Sequence, residues 1–392
     1  MKKTKVLLAM SGGVDSSVAA LLMKKKGYEV IGGFMKNYSN SKNPSECNWK
    51  EERKMAIKIA SKLEIPLITF DFEKQYREEV VEKMFEDYRK GKTPNPDVDC
   101  NEKIKFPLLI KEAKKLNANF VVTGHYSRIK ETKVSLINPS FKLALKANKK
   151  TKNNYELLRA KDKTKDQSYF LYRLKQNELK YLKFPIGDYT KKQVREIARK
   201  NNFINFDKKS TVGICFIGKI NLKEFLKKKI KSKKGKILDP ENSVIGEHDG
   251  IYYYTIGQRL GLRYGIEFLK KGDDKKNLKK WYVAKKDHKK NEIIAAPEGH
   301  PLLFRKEVII KNFHLISEDK NKFRKNVSKP KRVFSRIRQV GELLPSKISY
   351  DKKKKQFKVV LDKSITGVSE GQAIVLYKGK KVLGGGEIKF EN

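Results

Sequence analysis

The chain has 392 residues, 38% of them hydrophobic, which is enough for genuine cores and argues for two or three domains rather than a disordered polymer. Its 91 Lys+Arg against 45 Asp+Glu give a formal charge of +46, which makes a polyanion such as RNA or DNA the first class of partner, although abundant Lys, Asn and Ile would arise from AT-rich codons alone. No apolar run has the length of a membrane span, and the three cysteines include no C-x-x-C pair, so a bilayer protein, a disulfide scaffold and a zinc module are all disfavoured.

The first residues enter a strand almost at once, so no signal or transit peptide is expected and the expected location is the cytoplasm. Lys5 to Met10 is a short apolar run of buried-strand type. Ser11-Gly12-Gly13-Val14-Asp15-Ser16-Ser17 follows, and then Val14, Val18, Leu21 and Leu22 recur at helical spacing up to a stop at Gly27. The motif therefore lies on a strand-to-helix turn, where bare N–H groups and the positive end of a helix suit a phosphate. Two glycines let the backbone approach the ligand, and the serine hydroxyls add donors. No G-x-x-x-x-G-K-[ST] is present. The motif instead resembles the pyrophosphate loop of enzymes that cleave ATP between the α and β phosphates and adenylate a substrate oxygen.

Strand and helix then alternate. Tyr28 to Phe34 is a strand. Met55, Ala56, Ile59, Ala60 and Leu63 form a helical stripe, and Pro66 to Phe70 is the next strand. Tyr76, Val80, Met84 and Tyr88 form a second stripe closed by Gly91. A helix over Asn101 to Leu116 and a strand over Phe120 to Thr123 complete the pattern. This order predicts a parallel sheet clothed by helices, with its ligand beyond the C-terminal strand ends. The polar segment Glu131 to Asn154 breaks the pattern as a loop or hairpin insertion. Helix is expected over Ser168 to Leu182, and Thr190 with Gln193 forms a capping box for a helix reaching about Lys200. Leu222, Phe225 and Leu226 suggest a short helix before the lysine-rich run Lys227 to Lys236. Short strand-like pieces lead to Trp281-Tyr282-Val283. Strands at Glu307 to Ile310, Val333 to Arg338, Gln356 to Leu361, Ala373 to Tyr377 and Lys381 to Leu383 then suggest a small β-barrel. The expected domains are 1–217, 218–290 and 291–392: an α/β pyrophosphate-loop domain, a small central domain and a C-terminal β-barrel.

Two further stretches carry chemistry. In Thr93-Pro94-Asn95-Pro96-Asp97-Val98-Asp99-Cys100 two prolines stiffen a loop that ends at a helix start. There the dipole lowers the pKa of a thiol, and Asp97 is placed to exchange protons with a substrate. A capping Asp beside a buried Cys reads equally well from these residues alone. Gly213-Ile214-Cys215-Phe216-Ile217-Gly218 holds the second candidate thiol, between two glycines, where a buried strand cysteine is the common alternative. Cys47, beside Asn48 and Trp49, reads as a loop residue.

Together these stretches resemble one family, the tRNA-specific 2-thiouridylases. The resemblance continues in order through Phe34-Met35-Lys36-Asn37, Thr123-Gly124-His125-Tyr126, Lys165-Asp166-Gln167-Ser168-Tyr169-Phe170-Leu171, Phe184-Pro185-Ile186-Gly187, Tyr254-Thr255-Ile256-Gly257-Gln258-Arg259, Arg336-Ile337-Arg338-Gln339, Gly371-Gln372-Ala373 and Leu383-Gly384-Gly385-Gly386. It implies that Ala9, Met10, Ser11, Gly12, Gly13, Val14, Asp15 and Ser16 hold the ATP phosphates, with Asp15 near Mg²⁺, and that Met35 and Gly124 line the adenosine site. It further implies that Asn95, Pro96 and Asp97 meet the target base, with Asp97 as acid/base. His125, Lys165, Asp166, Gln167, Arg336, Ile337 and Gln372 stand at tRNA-contacting positions. Cys215 would carry a persulfide from a donor protein, either a cysteine desulfurase or a sulfur-relay protein. Cys100 would be its partner in a transient disulfide. The implied substrates are tRNAs for Lys, Glu and Gln, the protein is expected to be a monomer without a membrane partner, and no resident protein-bound metal is expected.

The sequence departs from the family pattern at Lys209-Ser210-Thr211-Val212, where K-D-S is usual, and in the shortened glycine-rich tail Leu260 to Gly265. The loop Ile365 to Glu370 lacks the usual proline, and the Glu131–Asn154 insertion is longer than typical. None of these removes a catalytic group.

Overall fold

The computed structural model describes residues 3–39, 49–135, 151–208, 221–261, 280–317, 319–339 and 341–391. Cys47, Cys215, the altered segment Lys209–Val212 and the tip of the Glu131–Asn154 insertion lie outside the described residues.

Five parallel strands form the first sheet: β1 (Lys5–Ala9), β2 (Glu29–Lys36), β3 (Leu67–Asp71), β4 (Phe120–Val122) and, after the hairpin β5 (Ser127–Ser135) and β6 (Thr151–Arg159), β7 (Leu182–Lys183). Their order is β3-β2-β1-β4-β7. The order reverses at β1, which puts a crevice beyond the end of β1, where ligands bind in sheets of this kind. The strands are apolar because both faces are covered: Val6, Leu7 and Leu8 are wholly buried, Leu7 in one core cluster and Val6 and Leu8 in the other. Helices α1 (Val14–Lys25) and α2 (Trp49–Lys62) carry the stripes read from sequence; Ala56, Ile59 and Ala60 of α2 are buried.

Two helical expectations are corrected. The helix expected from Asn101 begins earlier, at Pro96: Pro96–Asp99 runs into a π-helical stretch, Cys100–Lys105, and then into Phe106–Lys115. Proline at the first helical position is favourable because its missing N–H has no helical partner to lose. The helix expected over Ser168 to Leu182 is broken into a 3₁₀ turn, Ser168–Leu171, a single helical turn, Gln176–Leu179, and β7. Tertiary bonds override its helical pattern. The Tyr169 hydroxyl lies 2.9 Å from the Ile337 carbonyl and 3.0 Å from that of Ala373, and the Gln176 amide donates to the carbonyls of Tyr155 and Ile316.

The insertion is a hairpin in its described part: β5 and β6 pair antiparallel from Ser127↔Arg159 to Ser135↔Thr151. The central sheet contains β8 (Gly235–Leu238), β9 (Val244–His248), β10 (Trp281–Asp287) and β11 (Glu292–Pro297) in the order β10-β11-β8-β9, so it runs past residue 290 to Pro297. The barrel follows: β12 (Phe304–Leu315), β13 (Lys331–Arg336), β14 (Leu344–Asp351), β15 (Gln356–Thr366), β16 (Ala373–Lys378) and β17 (Lys381–Lys389). These six strands close because β12 pairs with both β15 and β17. Val308, Ile310, Ile348, Val359, Leu361, Ile374 and Leu376 fill the interior. Strand β6 also meets β17 at Leu158↔Lys381, so the hairpin from the first domain extends the barrel sheet.

Candidate active site

The Ser11–Ser17 loop sits at the crevice. It leaves β1 through a bond from Met10 N to Gly33 O (2.9 Å), and Gly13 caps α1 with an extended backbone. Gly12 has φ +72°, and a Cβ there would stand 2.4 Å from the Glu52 carbonyl oxygen, so glycine is required by both conformation and space. Two of the serines act differently from the expectation. Ser16 Oγ and Ser17 Oγ donate to Gly13 O at 2.9 and 3.0 Å, stapling the turn instead of offering their protons to a ligand. The Asn205 amide adds bonds to Gly12 O and Ser17 Oγ, both 3.0 Å. The loop is therefore rigid before any ligand arrives.

Gly124 lies flat against the start of α1. A Cβ on it would come within 2.8 Å of the Asp15 carbonyl carbon and of the Ser16 nitrogen. Next to it, Tyr126 Oη donates to Asp15 Oδ1 at 2.9 Å, and Lys191 Nζ reaches the two Asp15 oxygens at 2.7 and 2.8 Å. Burial and the Asp15 carboxylate push the Tyr126 phenol pKa far up, so it remains a donor. Lys191 opens the helix Lys191–Lys200, whose Thr190–Gln193 capping box forms as read from sequence. Met35, in β2 opposite Phe70, is buried. The donor set suits magnesium carried in with ATP, since that ion typically takes one or two carboxylates together with substrate phosphates, and Asp15 is the carboxylate of this loop.

The Asn95–Asp97 loop is held from two sides. Asn95 Oδ1 accepts from Val98 N at 3.3 Å, capping the new helix. Thr93 N donates to Glu370 O (2.8 Å) and Thr93 Oγ1 lies 3.1 Å from Ser369 Oγ, so the barrel loop fixes the approach to Pro94. Cys100 is wholly buried, one turn inside the helix rather than at its first residue, and Asp97 is partly exposed. Cys100 opens the π-helical stretch, an irregularity that is frequent at functional sites.

The residues expected at RNA separate by exposure. Lys165 is exposed, while His125, Gln167 and Gln372 are partly buried. His125 lies between the rings of Phe106 and Phe184, with Nδ1 2.6 Å from Thr123 Oγ1. Burial, aided by Lys105, holds its pKa well below the usual imidazole range, so the ring is neutral. Gln167 exchanges two bonds with Tyr126, N to O and Oε1 to N, both 2.8 Å. Gln372 folds its own turn, accepting from Ser369 N at 3.0 Å. Asp166, Arg336 and Ile337 are buried. The Asp166 carboxylate takes Arg159 Nε at 3.0 Å, Arg336 Nη1 at 3.1 Å and the N–H groups of Ala160 and Ser168. Both guanidinium groups lie over the Tyr377 ring. These three positions join the catalytic domain to the barrel instead of facing solvent. Sequence reasoning missed Tyr126, Arg159, Lys191 and Asn205. Only the capping box hinted at where Lys191 would point.

Comparison with known proteins agrees with this architecture. Residues 4–219 match the model for the tRNA methyl transferase HUP domain, 223–297 that for the tRNA methyl transferase PRC-barrel domain, and 305–388 the aminomethyltransferase beta-barrel domain. A HUP domain is an adenine-nucleotide domain and implies ATP use. The tRNA-specific 2-thiouridylase MnmA 2 of Aliarcobacter butzleri (strain RM4018) is 38% identical over 401 residues, covering 99% of each chain. The MnmA thiouridylase of Coxiella burnetii (strain Dugway 5J108-111) is 39% identical over 98% of this chain and 97% of its own. That of Lactobacillus helveticus (strain DPC 4571) is 38% identical over 98% and 95%. Three domains in the same order and this near-complete coverage establish that the chain belongs to the tRNA-specific 2-thiouridylase family.

Proposed function

We propose that the chain is a sulfurtransferase that converts the wobble uridine of tRNA to 2-thiouridine, using ATP and a protein persulfide. The observation that carries this reading is the near-full-length identity to thiouridylases, with the pyrophosphate-loop turn intact at the sheet's switch point.

The chemistry needs an activated oxygen, because O2 of uridine leaves poorly. The Ala9–Ser16 loop holds the ATP phosphates with its N–H groups, Met35 and Gly124 flank the adenosine, and the uridine oxygen displaces pyrophosphate from the α phosphorus. Magnesium held by Asp15 would offset charge on the phosphates. Asn95, Pro96 and Asp97 meet the base, which must be splayed out of its stack to reach them, and Asp97 manages its proton. Cys215 carries the persulfide. In one order of events its terminal sulfur attacks C2, AMP leaves, and the Cys100 thiolate attacks Cys215 Sγ. The S–S bond breaks with its electrons on the sulfur that stays on C2. In the other order Cys100 first frees a sulfide, which then attacks C2. Both orders give 2-thiouridine, AMP, pyrophosphate and a Cys100–Cys215 disulfide that an external dithiol must reduce.

Lys165 and the surrounding basic surface grip RNA phosphates. His125, Gln167 and Gln372 support the RNA-facing loops, and the buried Asp166, Arg336 and Ile337 fix the barrel relative to the catalytic domain. A cytoplasmic, monomeric enzyme acting on Lys, Glu and Gln tRNAs completes the reading, with a cysteine desulfurase or relay protein as donor. The test is thiolation of unmodified tRNA by the purified chain with ATP, Mg²⁺ and a persulfide donor. ATP-dependent 2-thiouridine supports the reading; its absence with a competent donor rejects it.

A further inference from the structure

We infer that Lys191 is the protein's own cation for the pyrophosphate leaving group, held on Asp15 until ATP arrives. The inference deepens the proposed function and rests on that reading of the loop.

Three observations carry it. Lys191 Nζ lies 2.7 and 2.8 Å from the two oxygens of Asp15, in the first turn of α1, beside the N–H groups that face the crevice. Its side chain is only 12% exposed and that of Asp15 only 29%, so the charge is directed into the site and not towards bulk water. The Lys191 main chain is fixed: its N–H donates to Asp162 Oδ2 at 2.9 Å and Thr190 caps its helix. From this fixed main chain the four-carbon stem can swing the ammonium. Tyr126, a second donor to Asp15, keeps the carboxylate in place when that ammonium departs.

The consequence follows from charge. A carboxylate in the first turn of a phosphate-binding helix repels an incoming triphosphate unless a cation covers it. Lys191 supplies that cover. Asp15 would hold the cation that accompanies a triphosphate, and the Lys191 ammonium, no longer needed on the carboxylate, would turn to the phosphate oxygens beside it. There it stabilises the charge that develops as the bond between the α and β phosphates breaks.

The experiment compares the parent enzyme with Lys191→Met and Lys191→Arg in tRNA thiolation, and measures binding of inorganic pyrophosphate and of AMP with Mg²⁺ present. Loss of a charged hydrogen bond to phosphate predicts about a tenfold or greater weakening of pyrophosphate binding in K191M. A fall in kcat for thiolation is expected with it, whereas AMP and tRNA binding stay within about twofold. K191R recovers most of the pyrophosphate affinity. A purely structural lysine would weaken AMP and pyrophosphate alike. K191M matching the parent in pyrophosphate affinity and kcat, or an equal loss for both ligands, overturns the inference. Failure of the parent itself to thiolate with ATP would instead reject the functional reading. If K191M does not fold, Lys191→Gln, which also removes the charge from a long side chain, takes its place and is read by the same two criteria.

Discussion

Replacing Asp166 by Asn keeps the volume and removes one charge at the junction between the catalytic domain and the barrel. The Asp166 side chain is fully buried, and that of Arg336 is only 4% exposed. Asn retains one acceptor oxygen, yet four donors converge here: two guanidinium nitrogens and two backbone N–H groups. Its amide would point a donor at one of them. Arg336, whose Nε already lacks a hydrogen-bond partner, would be left as a buried cation without its counter-ion. Breaking one side of a buried pair typically costs about 3–5 kcal/mol. The partly exposed Arg159 can relax towards water, so we expect a loss near the lower end, about 3 kcal/mol. Urea unfolding followed by circular dichroism reads this as a lower midpoint, and limited proteolysis should cut earlier between the two domains. The double variant D166N/R336M removes the stranded cation and should recover at least half of the loss. A D166N protein within about 0.5 kcal/mol of the parent, or a double variant no better than the single, would refute the reasoning.

Gly124→Ala forces a Cβ to within 2.8 Å of the α1 backbone, so this loop and the start of α1 must shift apart, which would disturb the proposed nucleotide site. The KM for ATP should rise about tenfold or more, with tRNA binding unchanged in a filter assay. Lys286 is half-buried and donates to Tyr254 O, and desolvation of its ammonium, opposed by Glu370, lowers its pKa from 10.5 to about 8. Between these values the unfolded chain holds a proton that the folded chain lacks, so this group's contribution to stability grows as pH rises from about 8 towards 10.5, by up to about 3 kcal/mol. The stability of the parent minus that of Lys286→Met should therefore climb across this window in urea titrations at stepped pH; a flat difference contradicts the burial argument.

Where a local pattern dictates structure, the sequence was readable. The strand, Ser-Gly-Gly turn and helix at Lys5–Lys25, the stripes of α2 and the Thr190 capping box all fold as their spacing demands. The errors share a cause. Ser168–Leu182 has a helical composition, but its side chains bond to carbonyls more than a hundred residues away, which no periodicity reveals. Strand β14 escaped notice because its residues alternate weakly and it is held by β13 and β15 on either side. At the site, the glycine turn and the Asn95–Cys100 segment were legible as motifs, although the helix start at Pro96 was not. The Lys191–Asp15 and Asp166–Arg336 pairings were not, because ion pairs between distant segments leave no spacing to read.

The central claim is sulfur transfer through Cys215 and Cys100. A single turnover with persulfide-loaded protein, ATP, Mg²⁺ and unmodified tRNA, without reductant, tests it most directly when nucleosides and peptides are both read by mass spectrometry. The account predicts that oxygen is replaced by sulfur in the wobble uridine, that a Cys100–Cys215 disulfide appears in proportion, and that Cys215→Ser yields neither. Equal 2-thiouridine from Cys215→Ser, or product formed while both thiols stay unlinked, would contradict it.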